Sequence, residues 1–142
     1  PKMVDDAFAI AHGSPLDEDA YIFSDLDALR VFRNTDFEIC FIGHSHFPVV
    51  FSWDGIEVDM QIAPAPEFKL RLDPSKRYLI NPGSVGQPRD GNPDASWALY
   101  DGDTIDFRRV PYEHARTAAK LRALPVSLDT RRYFADRLAE GS

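Results

Sequence analysis

Apolar positions fall along this chain in short runs and alternations rather than in long helical stripes, so strands should outnumber helices. Phe8-Ala9-Ile10-Ala11 predicts a short buried strand. Ser24 offers an N-cap with Asp27 three residues on, and Leu26, Leu29 and Phe32 follow at i, i+3 spacing. A helix is therefore predicted over about residues 25–33, with Asn34 as its stop. Glu38–Ile42 predicts a second buried strand, and Pro48–Trp53 and Ile56–Ile62 flank Asp54-Gly55, a two-residue hairpin signal. Pro64 and Pro66 break that pattern, and strands resume over Phe68–Leu72 and Arg77–Ile80. The Gly-, Pro- and Asn-rich stretch 81–94 is a loop long enough to expect a function. Ser96–Tyr100 and Thr104–Val110 form another hairpin around Asp101-Gly102-Asp103. Two helices close the chain, roughly 112–123 and 129–139, the second capped by Asp129 or Thr130 with Gly141 past its end. The class is α/β with a β-rich middle.

The first strand poses a problem. A buried strand needs neighbours on both edges, and almost nothing precedes Phe8. Its partners must come from later in the chain or from a segment outside it.

Composition narrows the setting. At 142 residues the chain makes one domain, and 44% hydrophobic with 27% charged residues is ordinary for a globular protein. Apolar runs such as Ile39-Cys40-Phe41-Ile42 are too short to cross a bilayer, and no signal-peptide pattern is present. The single cysteine, Cys40, lies in that apolar run; it suits a buried packing role in a reducing, cytoplasmic compartment. A net charge of −7 argues against a nucleic-acid backbone or an anionic membrane as main partner. The basic residues near the end, Arg108, Arg109, Arg116, Lys120, Arg122, Arg131, Arg132 and Arg137, read as solvated surface.

Three of the four histidines sit in loops after strands. His12 follows the first strand in His12-Gly13-Ser14-Pro15, and His44 and His46 follow the second in Gly43-His44-Ser45-His46. Residues i and i+2 of extended chain point the same way, so both imidazoles of the His-x-His can approach one point or two neighbouring points. Ligands of α/β sheets bind beyond the strand carboxyl ends, and His12 converges there if the two strands are parallel neighbours. Three imidazoles could hold one zinc ion with water in the fourth position. His114, on a predicted helix, and the acidic run Asp17-Glu18-Asp19 both read as surface.

Taken together, His12-Gly13-Ser14-Pro15, Gly43-His44-Ser45-His46-Phe47-Pro48 and Asn81-Pro82-Gly83-Ser84-Val85-Gly86-Gln87-Pro88-Arg89-Asp90-Gly91 resemble the later motifs of the calcineurin-like metallophosphoesterases. The likeness is to the small prokaryotic phosphodiesterase and diadenosine tetraphosphatase-like branch. Ser96-Trp97-Ala98-Leu99-Tyr100-Asp101, Arg109-Val110-Pro111-Tyr112 and Leu124-Pro125 add to it. The resemblance implies an α/β fold, a two-sheet sandwich flanked by helices, with a two-metal site at the strand ends. It implies His12 and His44 as ligands of one ion and His46 of the other, Asn81 as a supporting residue, and Arg89 as a phosphate contact. The cofactors would be two divalent ions, manganese first, with iron, zinc, cobalt or nickel as substitutes. The implied reaction is hydrolysis of a small phosphate mono- or diester by a metal-bridging hydroxide.

The family's earlier motifs, which supply the bridging aspartate, have no counterpart before His12. Gly102-Asp103 matches one by letter, but late in the order and in a hairpin turn. Residues 1–142 are therefore expected to be the C-terminal part of a single such domain, inactive alone, with the missing strand–helix units supplied in cis or in trans. Those upstream strands would partner the first strand, and without them the chain should tend to dimerise, swap or aggregate. The alternative is a binding or scaffold module that keeps the fold without catalysis.

Overall fold

The computed structural model describes residues 2–4, as backbone, together with residues 8–63 and 67–142. The proline break expected at 64–66 lies outside the described residues. In chain order the elements are β1 (Lys2–Val4), β2 (Phe8–Ile10), α1 (Asp25–Arg33), β3 (Ile39–Phe41), β4 (Val49–Trp53), β5 (Val58–Ile62), β6 (Glu67–Arg71), β7 (Arg77–Asn81), β8 (Ala95–Tyr100), β9 (Thr104–Val110), α2 (His114–Arg122) and α3 (Leu128–Glu140).

They build two sheets, one of order β1-β2-β3-β7-β4-β5 and one of order β6-β9-β8. The neighbours of β2 are both in the chain: β1 pairs with it antiparallel and β3 parallel, Ala9 opposite Cys40 and Ile10 opposite Phe41. This corrects the expectation that upstream strands flank it. Since β7 is parallel to β3 as well, the carboxyl ends of β2, β3 and β7 share one edge of the sheet.

Alternation along the strands sends side chains to two cores. On one face Ala9, Cys40, Phe51 and Leu79 pack under Ala28, Val31 and Phe32 of α1. On the other, Val50, Tyr78 and Ile80 meet Ile105 and Phe107 of the second sheet. Cys40 is fully buried, and burial pushes its thiol up to about 12. The helix α1 is capped as its sequence suggests. The Ser24 side chain accepts the Asp27 N–H, Asp27 reaches back to the Ser24 N–H, and Asn34 ends the helix.

Several elements depart from the sequence reading. The β4–β5 connection has four residues, Asp54 to Glu57, because Asp54 Oδ1 accepts the N–H groups of Ile56 and Glu57 in an Asx-type turn. The strand β6 does not extend the first sheet but pairs with β9, Glu67 opposite Arg108 through Arg71 opposite Thr104. Ser127, not Asp129 or Thr130, caps α3, its hydroxyl accepting the Thr130 N–H. His114 opens α2 half-buried, its Nδ1 enclosed without a partner among the described residues. Nor is the basic end uniformly solvated, for the Arg109 side chain is 5% exposed. Among the described residues no helix is long and apolar enough to cross a membrane.

Arg77 joins α1 to the sheet. Its guanidinium donates to the carbonyls of Phe37 at 2.6 Å and Phe32 at 2.9 Å and to Thr35 Oγ1 at 3.2 Å. It also lies over the rings of Phe32, Phe37 and Trp53, 5.6, 5.1 and 5.5 Å from their centroids.

Candidate metal centre

The parallel pairing of β2 and β3 runs on past both strands. Ala11 N–H donates to the Phe41 carbonyl at 2.9 Å, and Gly43 N–H to the His12 carbonyl at 2.8 Å. That register sets His12 beside Gly43-His44 at the carboxyl edge of the sheet. The rings meet, with His12 Nε2 and His44 Nδ1 3.0 Å apart.

The backbone turns unusually here. Among the described residues, His44 and His46 are the non-glycine residues with positive φ, 64° and 60°. A side chain in that region costs on the order of 1–3 kcal/mol, and such strain persists only where the surroundings impose it. The restraint comes from Asn81, fully buried at the end of β7. Its Nδ2 donates to the Gly43 carbonyl and to Ser45 Oγ, both at 2.8 Å, and its Oδ1 accepts the Gly83 N–H at 2.9 Å. One amide side chain thus holds both the His-x-His turn and the start of the 81–94 loop.

Each imidazole of the turn has one nitrogen tied to a backbone carbonyl: His44 Nε2 to Asp19 at 3.2 Å, His46 Nδ1 to Gln87 at 2.8 Å. A carbonyl can only accept, so those nitrogens carry the proton and the others, His44 Nδ1 and His46 Nε2, keep their lone pairs. Burial lowers the His46 imidazole below its ordinary value. The Gln87 bond opposes that shift, while the Arg89 guanidinium and then His44 and His12 reinforce it. Arg89 also donates its backbone N–H to the His46 carbonyl at 3.3 Å, and its buried Nε has no acceptor among the described residues.

Sequence reasoning missed one neighbour of His44 and the ring behind it. Tyr21 stacks on its ring, centroids 4.1 Å apart, and Phe23 stacks on Tyr21 at 5.2 Å. The alternating Tyr21 and Phe23 were the only available signal. The Asp17-Glu18-Asp19 run is exposed as expected, yet the Asp19 carbonyl serves the site.

The donor chemistry fits part of a metal shell. Two nitrogens on a tetrahedral ion with bonds of ~2.0–2.1 Å sit about 3.3 Å apart, close to the His12–His44 spacing. A protonated second nitrogen bonded to a carbonyl is the usual support of a ligating imidazole. The shell is incomplete, however: among the described residues no group of three or more His, Cys, Asp and Glu side chains could hold an ion. His12 and His44 are brought into contact, and His46 bonds instead to the Gln87 carbonyl.

A crystal structure of a metallophosphoesterase from Sphaerobacter thermophilus matches this architecture with a TM-score of 0.86 and 35% sequence identity, over 99% of this chain and 58% of that one. The two-sheet fold is that of a metallophosphoesterase. An uncharacterized protein of Methanocaldococcus jannaschii is 42% identical over 86 residues, 59% of this chain and 33% of that protein. No protein-family model matches. The chain thus spans 58% of the solved relative and 33% of the curated one.

Proposed function

We propose that this chain carries the histidine half of the active site of a metal-dependent phosphoesterase that hydrolyses small phosphate mono- or diesters. The observation that carries the reading is the paired strain at His44 and His46, each with one ring nitrogen bonded to a carbonyl, while the second nitrogen of His44 meets His12 Nε2. A scaffold that only kept the fold would have no need of two left-handed histidines held this way.

In this reading His12 Nε2 and His44 Nδ1 hold one divalent ion and His46 Nε2 the other. Manganese is the first choice, with iron, zinc, cobalt or nickel able to replace it. The carboxylate ligands come from residues beyond these 142, in cis or from another chain, so residues 1–142 act as part of one domain. When bound, the ions would neutralise charge at phosphorus and lower the pKa of a bound water. The chain's own residues do the rest. Asn81 fixes the His-x-His turn, the Asp19 and Gln87 carbonyls select the tautomers, and the Arg89 guanidinium near His46 serves as the phosphate contact. A cytoplasmic setting suits the buried, unpaired Cys40 thiol.

Metal content per chain after equilibration with Mn²⁺, measured on the intact protein beside its His46→Ala variant, tests the reading. Two ions per chain, reduced to one in the variant, with turnover of an aryl phosphodiester lost alongside, is the expected result. No bound ion and no turnover would leave the scaffold module instead.

A further inference from the structure

Arg109 lies on β9, the central strand of the second sheet, opposite Ser96 of β8. Its buried guanidinium forms an ion pair with Asp90, itself 11% exposed, and donates to the carbonyls of Asp94 at 3.0 Å and Asn92 at 3.4 Å. An arginine this buried is tolerable only with its donors satisfied, and here one carboxylate and two carbonyls of the 81–94 loop supply them. Asp90 immediately follows the stretch that touches His46. The Gln87 carbonyl accepts from the His46 ring, and the Arg89 N–H donates to the His46 backbone carbonyl. Beyond Asp90 the loop is held again, Gly91 N–H donating to the Gly141 carbonyl at the end of α3 at 2.9 Å.

We propose that Arg109 is a positioning residue for His46 and Arg89, acting through Asp90 from the second sheet. The inference rests on the reading of His46 as a ligand and goes beyond it by naming what aims it. The ion pair fixes where the 87–90 segment lies over the turn, and so fixes both the carbonyl that selects the His46 tautomer and the guanidinium beside it. His12 and His44 take their places from β2, β3 and the Asp19 carbonyl, so they do not depend on Arg109. The effect is therefore confined to one end of the site.

The test is the imidazole ¹⁵N spectrum of the metal-free intact protein, followed by titration with Zn²⁺. In the wild type His46 should show a single Nδ1–H tautomer. The double variant Asp90→Asn/Arg109→Met removes both buried charges together and so avoids stranding either one. In it His46 should give averaged ring nitrogens and lose about 10–100-fold in Zn²⁺ affinity, as when a ligand's outer support is removed. His12 and His44 should keep their wild-type signals. Should the double variant not fold, Asp90→Asn alone should shift His46 in the same direction by less, and Arg109→Lys, which keeps the charge, should partly restore the tautomer. An unchanged His46 in a folded variant, or equal changes at all three histidines, would overturn the proposal. If no histidine of the wild type responds to Zn²⁺, the metal reading fails, while the metal-free tautomer still decides the role of Arg109.

Discussion

Tyr21 lies flat on the imidazole of His44, ring centroids 4.1 Å apart and planes within 21°. The stack completes a cage in which the His44 ring also meets the Asp19 carbonyl and His12 Nε2. Tyr21 is 45% exposed, so its ring contributes little to the core and much to the orientation of its neighbour. Tyr21→Ala should weaken metal binding at His12 and His44 by about 10–100-fold, read by calorimetric titration with Mn²⁺. Tyr21→Phe keeps the ring and should bind as the wild type does; a loss equal to that of the alanine variant would show that the hydroxyl matters instead.

Asn81 makes three hydrogen bonds from a fully buried side chain, so its removal leaves the Gly83 N–H without its acceptor and takes one donor each from the Gly43 carbonyl and Ser45 Oγ, which keep the N–H groups of Ser45 and Phe47. Leaving a buried polar group unsatisfied costs about 1–3 kcal/mol. Asn81→Ala should lower unfolding stability in urea by at least that amount. Asn81→Asp is near-isosteric and can still accept from the Ser45 hydroxyl, but it sets a carboxylate oxygen against the Gly43 carbonyl and should do no better. A variant as stable as the wild type would mean that the turn holds its left-handed histidines without this amide.

The parts of the fold readable from sequence were those set by neighbours close along the chain. The Ser24–Asp27 capping box, the Asp101–Asp103 turn and the Gly141 helix end are local chemistry, and each stands where its residues suggest. The class, an α/β two-sheet fold, followed from the motifs and their order. What was not readable depends on partners distant in sequence. Alternation marked β6 as a strand, but only its pairing with β9 assigns it to the second sheet. Arg109 looks like a surface cation until Asp90 is brought to it, and nothing near Arg77 in sequence points to the Phe37 carbonyl it serves. The same limit held at the site. The loop positions of His12, His44 and His46 were legible, whereas the Tyr21 stack, the carbonyls of Asp19 and Gln87 and the strained backbone belong to the folded chain.

Acid should remove one local support of α1. Burial would raise the Asp27 carboxyl, but the hydrogen bonds from the Ser24 hydroxyl and the Phe23 and Ser24 N–H groups outweigh it and hold the group below its ordinary value. A carboxyl lowered in the folded state contributes stability that is complete above its unfolded value near ~3.9 and lost as pH falls through the folded value. Asp27→Ala should therefore cost roughly 0.5–1 kcal/mol at neutral pH, the lower part of the range for a lost cap because the group faces solvent. The difference between variant and wild type in urea unfolding should shrink below pH ~4. A difference that persists unchanged at pH ~2 would show that the effect does not come from the ionised carboxylate.

Gly13 and Gly86 stand in the two loops that frame the site, and the space around them is opposite. A Cβ on Gly13 would lie 2.7 Å from the Ala20 carbonyl oxygen and closer still to that of Glu18, both backbone atoms. A Cβ on Gly86 would meet nothing within 4 Å. The 13–20 loop must open to admit a methyl group at Gly13, and the Asp19 carbonyl that accepts from His44 moves with it. Gly13→Ala should consequently cost stability of about 1–3 kcal/mol, the scale of an overpacked interior, and should also release the His44 tautomer in the imidazole ¹⁵N spectrum. Gly86→Ala should leave stability within about 0.5 kcal/mol of wild type and all three histidine signals in place. If Gly13→Ala lost stability with His44 unmoved, the Asp19 carbonyl would not be what holds that ring, and the Tyr21 stack would have to do it alone.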